Sequence, residues 1–334
     1  MGRSHLSPAS DKKNLIIILA DALRYDHVNE EITPNIMRIA RKGEFYTEAW
    51  SPNTCTIKSM PYLLSASYEY DSENSLPVTL SKHGYFSCLI NTNPSVKTRF
   101  SEGWGEVNDF YYEASVRSIR VHLERIINKY FLHRMRSVGK GVFNQAISSF
   151  KLAFLHASLS VRPFSGRKFP YTPADEMLKF ALTKIDQQPY FLWIHLMDPH
   201  GPYYPRNKGY SKQFLDKYYN LFIDVAQKKA RSRVSPEQHQ VLKQLYKENV
   251  MEMDEAIGQF YDQLNNNTVL FLLSDHGEAF GEEGHYIHPA NTFIPALHHV
   301  PLIIAHHGRT GINEQPMQLH SFPQFVYDVL QCTR

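Results

Sequence analysis

Apolar residues fall in compact runs along this chain, each bounded by polar or turn-forming residues. Residues 14–20, NLIIILA, are continuous and β-branched, flanked by Lys13 and Asp21. An unbroken run of this length reads as a strand covered on both faces. YFSCLIN (85–91), YFLWIHL (190–196), TVLFLLS (268–274) and VPLIIA (300–305) have the same character. Helical patterns lie between them. TPNIMRIARKGE, from Thr33, places Thr33 at an N-cap, Pro34 at the first helical position and Gly43 at the end. A further helix is predicted over roughly 173–186, and a long helical stretch over 211–263. Strands alternating with helices predict an α/β fold around a largely parallel sheet.

Residues from about 113 to 168 depart from this alternation. They are rich in Arg, Lys, His and aromatic residues and hold no strong strand. The pattern reads as two basic amphipathic helices broken at Gly139 and Gly141, inserted into the α/β frame. Two roles stay open for it: a solvated helical cap on the core, or a surface for an anionic lipid or polymer.

The 334 residues suit one large domain over 14–334 carrying that insertion, preceded by a flexible stretch over 1–13. Hydrophobic residues at 43% supply a sizeable core, and a net charge of only +3 provides no global field for nucleic acid. Three scattered cysteines, Cys55, Cys88 and Cys332, make neither a disulfide framework nor a zinc-binding pair. The polar start MGRSHLSPASDKKN lacks the apolar core of a secretory signal, and LIIILA is too short to span a bilayer. A cytoplasmic location is the expectation, with peripheral membrane contact left open.

Polar residues follow several of the predicted strands directly. Asp21 follows the first, Asp198 and His200 follow YFLWIHL, and Asp275 and His276 follow TVLFLLS. Ligands of open α/β sheets bind beyond the carboxyl ends of the strands, so these groups converge on one edge. Carboxylates gathered there repel unless a cation neutralises them, and Asp and His donors suit Zn²⁺, Mn²⁺ or Mg²⁺. The segment SPNTCTIKSMPYLLSA (51–66) runs from a loop into an apolar helix and offers Thr54, Cys55, Thr56 and Ser59 as nucleophiles or caps. Lys58 adds a positive charge for the oxygens of an anionic ester.

Four segments together resemble the alkaline phosphatase superfamily, in particular its sulfatase-like branch. They are NLIIILADALRYDHV with TPNIMRIARKG, SPNTCTIKSMPYLLSA, PYFLWIHLMDPHGPYYP, and VLFLLSDHGEAFGEEGHYIH with VPLIIAHHG. The resemblance spans roughly residues 14–330 and implies a three-layer sandwich about a largely parallel sheet. It implies that Asp21, Asp275 and His276 bind one divalent metal with the nucleophile as fourth ligand. His200 and His288 would bind the anionic group, protonate the leaving oxygen or hold a second metal. The closing segment also resembles SDHGESLGENG-x-Y-L-H of the phosphoethanolamine transferases, which favours His288 over His285 as the inward residue. Asp198 is read as shaping a turn.

The nucleophile separates the branches. Sulfatases use Cys in C-x-P-S-R-x-x-L-x-T-G; matching LLSA (63–66) to the tail of that pattern puts the nucleophile on Thr56 and not Cys55. The G-K-W-H segment of many sulfatases is replaced here by INTNPSVKTRF. A Thr nucleophile resembles the phosphodiesterases and the phosphoglycerol and phosphoethanolamine transferases. The expected function is metal-dependent hydrolysis or transfer of a phosphate mono- or diester through phospho-Thr56. The partner is an anionic ester, with a glycan-linked, lipid-linked or nucleotide substrate all left open by the residue types. The alternatives are a sulfatase acting through Cys55, with Ca²⁺ as its metal, and a catalytically silent anion binder.

Overall fold

The computed structural model describes residues 12–110, 171–206, 208–226, 234–290 and 292–332. The predicted basic helices of 113–168 and residues 1–11 of the predicted flexible start lie outside these. Lys12 and Lys13 are tied down: their ammonium groups donate to the carbonyls of His83 (2.7 Å) and Asn266 (3.1 Å).

Twelve strands are described, numbered in chain order: β1 Asn14–Ala20, β2 Gly43–Tyr46, β3 Ala49–Trp50, β4 Phe86–Asn91, β5 Glu106–Asp109, β6 Tyr190–Leu196, β7 Thr268–Leu273, β8 Ala279–Phe280, β9 Tyr286–Ile287, β10 Leu302–Ala305, β11 Gly311–Asn313 and β12 Met317–Gln318. Eight form the central sheet in the order β11-β2-β10-β7-β1-β6-β4-β5. Every pairing is parallel except those of β10, which runs against both β7 and β2. The predicted strand at 300–305 therefore exists, but as the one reversed member of the sheet. All seven residues of β1 are buried, as are those of β6. That explains why both segments read as continuous rather than alternating apolar runs.

Alternate side chains of β1 enter opposite layers. Leu15, Ile17 and Leu19 join Met60, Leu63 and Leu64 of the helix Thr56–Ser65 and Phe322 and Val326 of the helix Phe322–Leu330. On the opposite face Pro34–Arg41, Ala174–Ala181 and Pro236–Tyr261 pack together. At about 1.5–3 kcal/mol for each fully buried aliphatic side chain, these two layers dominate the driving force for folding.

Three local readings are revised. The helix from Thr33 starts at Pro34 as expected, yet Thr33 makes no side-chain cap. Its hydroxyl accepts from Asn29 N at 3.0 Å and so closes the preceding turn. The stretch 211–263 holds two helices, Lys212–Ala226 and Pro236–Tyr261. The second has its own start signal: Ser235 and Gln238 form a reciprocal capping box ahead of Pro236. Short strands β2, β5 and β11 were not apparent from the pattern, because four residues or fewer carry no resolvable period.

Candidate active site

The parallel strands β7, β1, β6 and β4 lie side by side, and their carboxyl ends open onto one edge. Asp21 leaves β1 with its N–H still bonded to Leu196 O at 2.9 Å. The next residue, Ala22, turns into the left-handed region at φ 63°. That costs a non-glycine residue about 1–3 kcal/mol and requires support from its surroundings. Tyr246 supplies it: its hydroxyl donates to Ala22 O (2.9 Å) and accepts from Arg24 N (2.8 Å). Ser274, at the exit of β7, donates to Ala20 O (2.7 Å) and accepts from Leu23 N (2.9 Å). The two strand ends that carry Asp21 and Asp275 are thus stitched together.

Asp21, Asp275 and His276 are fully buried, and one ligand atom from each lies within 4.8 Å of the others. His276 Nδ1 is 2.8 Å from Gly277 O. A carbonyl only accepts, so the ring hydrogen is on Nδ1 and the Nε2 lone pair faces the carboxylates. Asp21 Oδ1 and Asp275 Oδ2 are buried and lack a hydrogen-bond partner. Two orphaned carboxylate oxygens around an imidazole lone pair are a donor set that fits a divalent cation. Burial and the neighbouring Asp21 raise the Asp275 carboxyl. Burial opposes ionisation of Asp21 as well, but His200, His195 and His276 hold its carboxyl well below the usual range.

Thr56 opens the helix Thr56–Ser65, and its hydroxyl is 3.2 Å from Asp21 Oδ2 and 3.4 Å from His276 Nε2. The other candidates in this segment point elsewhere or lack such contacts. Thr54 donates to Pro289 O at 2.9 Å, and Ser59 donates to Asn53 O at 3.2 Å. Cys55 is the helix N-cap, half-buried, with its thiol pushed up by burial and by Asp275 and Asp21. Lys58 sits half-buried in the first helical turn.

His200 and His288 stand over this cluster. The His288 ring centroid is 4.5 Å from that of His276 and 4.9 Å from that of His200. His200 Nδ1 is bonded to Gly201 O (2.6 Å) and His288 Nδ1 to Glu278 Oε1 (3.0 Å). Both rings therefore keep Nε2 free for another partner. Burial would raise Glu278, but His288, His200 and His276 hold it below the usual range. Ile287, immediately before His288, has φ 69°, an uncommon conformation for a β-branched residue and a sign that this turn is held from outside. Asp198 stays apart from the cation cluster. Its Oδ1 accepts from Ala174 N at 3.1 Å, at the start of the helix Ala174–Ala181, and burial pushes its carboxyl up to about 7.

Three participants were missed in the sequence. His195 Nε2 lies 2.9 Å and Asn93 Nδ2 3.0 Å from Asp21 Oδ2, and Glu278 bonds His288. A histidine inside the apolar run YFLWIHL was the available sign, since a buried polar group needs a partner. Asn93 had none beyond its place just after a strand.

The sulfatase family matches residues 13–333, and the chain belongs to that family. Its α/β architecture is that of the alkaline phosphatase superfamily. The phosphonate monoester hydrolase of Agrobacterium radiobacter superposes with a TM-score of 0.64 at 15% identity, over 96% of this chain and 74% of that one. The C-terminal periplasmic domain of the phosphoethanolamine transferase EptC from Campylobacter jejuni gives 0.58 at 15% identity, over 97% and 90%. The C-terminal periplasmic domain of EcEptC from Escherichia coli, in complex with Zn, gives 0.62 at 11% identity, over 96% and 82%. No curated protein matches the sequence significantly. Among the described residues, no helix is long and apolar enough to cross a membrane.

Proposed function

We propose that the protein cleaves or transfers a phosphate ester through a covalent phospho-Thr56 intermediate. The observation that carries this reading is the seat of the Thr56 hydroxyl, between Asp21 Oδ2 and His276 Nε2 and beside two unpartnered carboxylate oxygens. Asp21, Asp275 and His276 would hold a divalent cation, with Thr56 beside it. Such a cation, when bound, supplies Lewis acidity that makes a neighbouring hydroxyl easier to deprotonate.

The chain's own residues account for the remaining steps. Asp21 Oδ2 accepts the hydrogen bond of Thr56 and aims its oxygen at phosphorus. The Thr56 proton leaves along its hydrogen bond to Asp21 Oδ2, and the Thr56 Oγ–P bond forms as the bond from phosphorus to the leaving oxygen breaks. Backbone N–H groups at the start of the helix Thr56–Ser65 face the anionic ester, with Lys58 a further source of positive charge. The imidazolium form of His200 or His288 gives its Nε2 proton to the leaving oxygen; Glu278 fixes the ring of His288 for that task. Water or an acceptor hydroxyl then takes the phosphoryl group from Thr56.

Sulfate-ester cleavage through Cys55 is the competing reading, and family membership favours it. One assay separates the two. The protein is stripped of metal, reloaded separately with Mn²⁺, Zn²⁺ or Mg²⁺, and offered aryl phosphodiester, aryl phosphomonoester and aryl sulfate side by side. Metal-dependent phosphate-ester cleavage that disappears in Thr56→Ala supports the proposal. Dominant aryl sulfate cleavage that survives in Thr56→Ala overturns it.

A further inference from the structure

The two oxygens of Asp21 have very different surroundings. Oδ2 has three donors: His195 Nε2 at 2.9 Å, Asn93 Nδ2 at 3.0 Å and Thr56 Oγ1 at 3.2 Å. Oδ1 has none, although it is fully buried and 3.4 Å from His276 Nε2. A carboxylate oxygen offers two lone pairs, so Oδ2 is filled and Oδ1 is held open. An orphaned buried acceptor is costly unless something occupies it.

We propose that His195 and Asn93 are positioning residues that clamp Asp21 through Oδ2 and thereby commit Oδ1 to the cation. The inference rests on the reading of Asp21, Asp275 and His276 as a cation site. Both clamping side chains are themselves fixed. His195 is fully buried on β6, where it is in register with Leu19 of β1 and Asn91 of β4. Its Nδ1 has no partner, so Nε2 carries the hydrogen that reaches Asp21. Asn93 is held at both ends of its amide. Nδ2 goes to Asp21, while Oδ1 accepts from Ser95 N at 2.9 Å. Asn91 Oδ1 accepts from Asn93 N at 2.9 Å and locks the backbone of the turn.

Thr56 is the longest of the three contacts and the one that must be given up when its oxygen attacks. His195 and Asn93 keep Asp21 from rotating at that moment. This also gives a role to INTNPSVKTRF, which stands where many sulfatases carry G-K-W-H: its Asn93 reaches the first carboxylate of the site.

The test is isothermal titration of metal-free protein with Zn²⁺. Wild type is compared with His195→Leu, His195→Gln, Asn93→Ser and Thr56→Ala, with the metal-free melting temperature as a check on folding. Gln returns a donor near the position of Nε2, and Ser retains the cap on Ser95 N without reaching Asp21. The expected result is a Kd for Zn²⁺ raised by about 10–100-fold in His195→Leu and Asn93→Ser, with most of the affinity restored in His195→Gln. Asn93→Ser that melts like wild type and binds Zn²⁺ with the wild-type Kd overturns the proposal, whether or not His195→Leu folds. Turnover that persists in Thr56→Ala, while the clamp variants still lose Zn²⁺, refutes the phospho-Thr56 reading and leaves the clamp standing.

Discussion

Gly277 separates His276 from Glu278, and the structure leaves no room beside it. A Cβ added there would lie 1.9 Å from Ala296 O, 3.0 Å from Ala296 C and 3.3 Å from Leu297 Cα. The obstacle is backbone, and Gly277 N is also bonded to Leu297 O at 2.9 Å, so the two segments cannot part without losing that bond. Bringing the contact out to 3.0 Å requires a movement of about 1.1 Å (3.0 minus 1.9). Overpacking of this kind costs about 1–3 kcal/mol. At about 2.1 cal/mol/K of unfolding entropy per residue, that lowers Tm by roughly 1.5–4 °C for a chain of this length. The catalytic cost falls at the upper end of the same range, because a displacement of about 1 Å costs on the order of 10²-fold in rate, about 2.7 kcal/mol. Gly277→Ala is therefore expected to fold, to melt slightly lower than wild type and to lose about two orders of magnitude in kcat/KM on an aryl phosphodiester. Ala296→Gly in the same background restores little, since the clash is with a carbonyl oxygen. A Gly277→Ala protein with wild-type Tm and wild-type kcat/KM would refute the packing argument.

Asp198→Asn tests the placement of Asp198 outside the cation cluster. Burial raises its carboxyl from 3.8 to about 7, so the folded state retains a proton that the unfolded state releases. Stability then falls as pH rises from about 4 through about 7, by up to roughly 4 kcal/mol (three units at about 1.4 each). Asn keeps the acceptor for Ala174 N and has no proton to lose. Its stability relative to wild type, read from denaturant melts, should increase across that window and level off above it; a difference that does not change with pH would contradict the assignment. Cys55→Ser should retain wild-type turnover of the phosphate ester, since burial and the nearby carboxylates keep the thiolate scarce. Abolished turnover in that variant would make Cys55 the reacting residue.

Much of the frame was legible because its strands are buried on both faces. A run such as NLIIILA suits little besides a strand covered on both sides, and the polar residue that ends it is then conspicuous. Asp21, Asp275 and His276 were found on that ground, and the structure brings all three together. The antiparallel course of β10 was not legible, because an apolar run carries no sign of its direction. Thr56 was singled out by matching LLSA to the tail of the sulfatase pattern, since Thr54, Cys55 and Ser59 are its equals by residue type alone. The partners of the site residues were the least visible. His195 on β6 and Asn93, two residues past the end of β4, reach Asp21 from segments far away in sequence, and only the order of the sheet gathers those strand ends.

The covalent intermediate on Thr56 is the most direct point of test. Metal-reconstituted protein would be mixed with an aryl phosphodiester, quenched in acid within the first turnover, and digested for mass spectrometry of the peptide that carries both Cys55 and Thr56. The prediction is a phosphoryl adduct on the Thr56 oxygen, absent from Thr56→Ala. An unmodified Thr56 during active turnover, or an oxidised Cys55 carrying the adduct in its place, would contradict it.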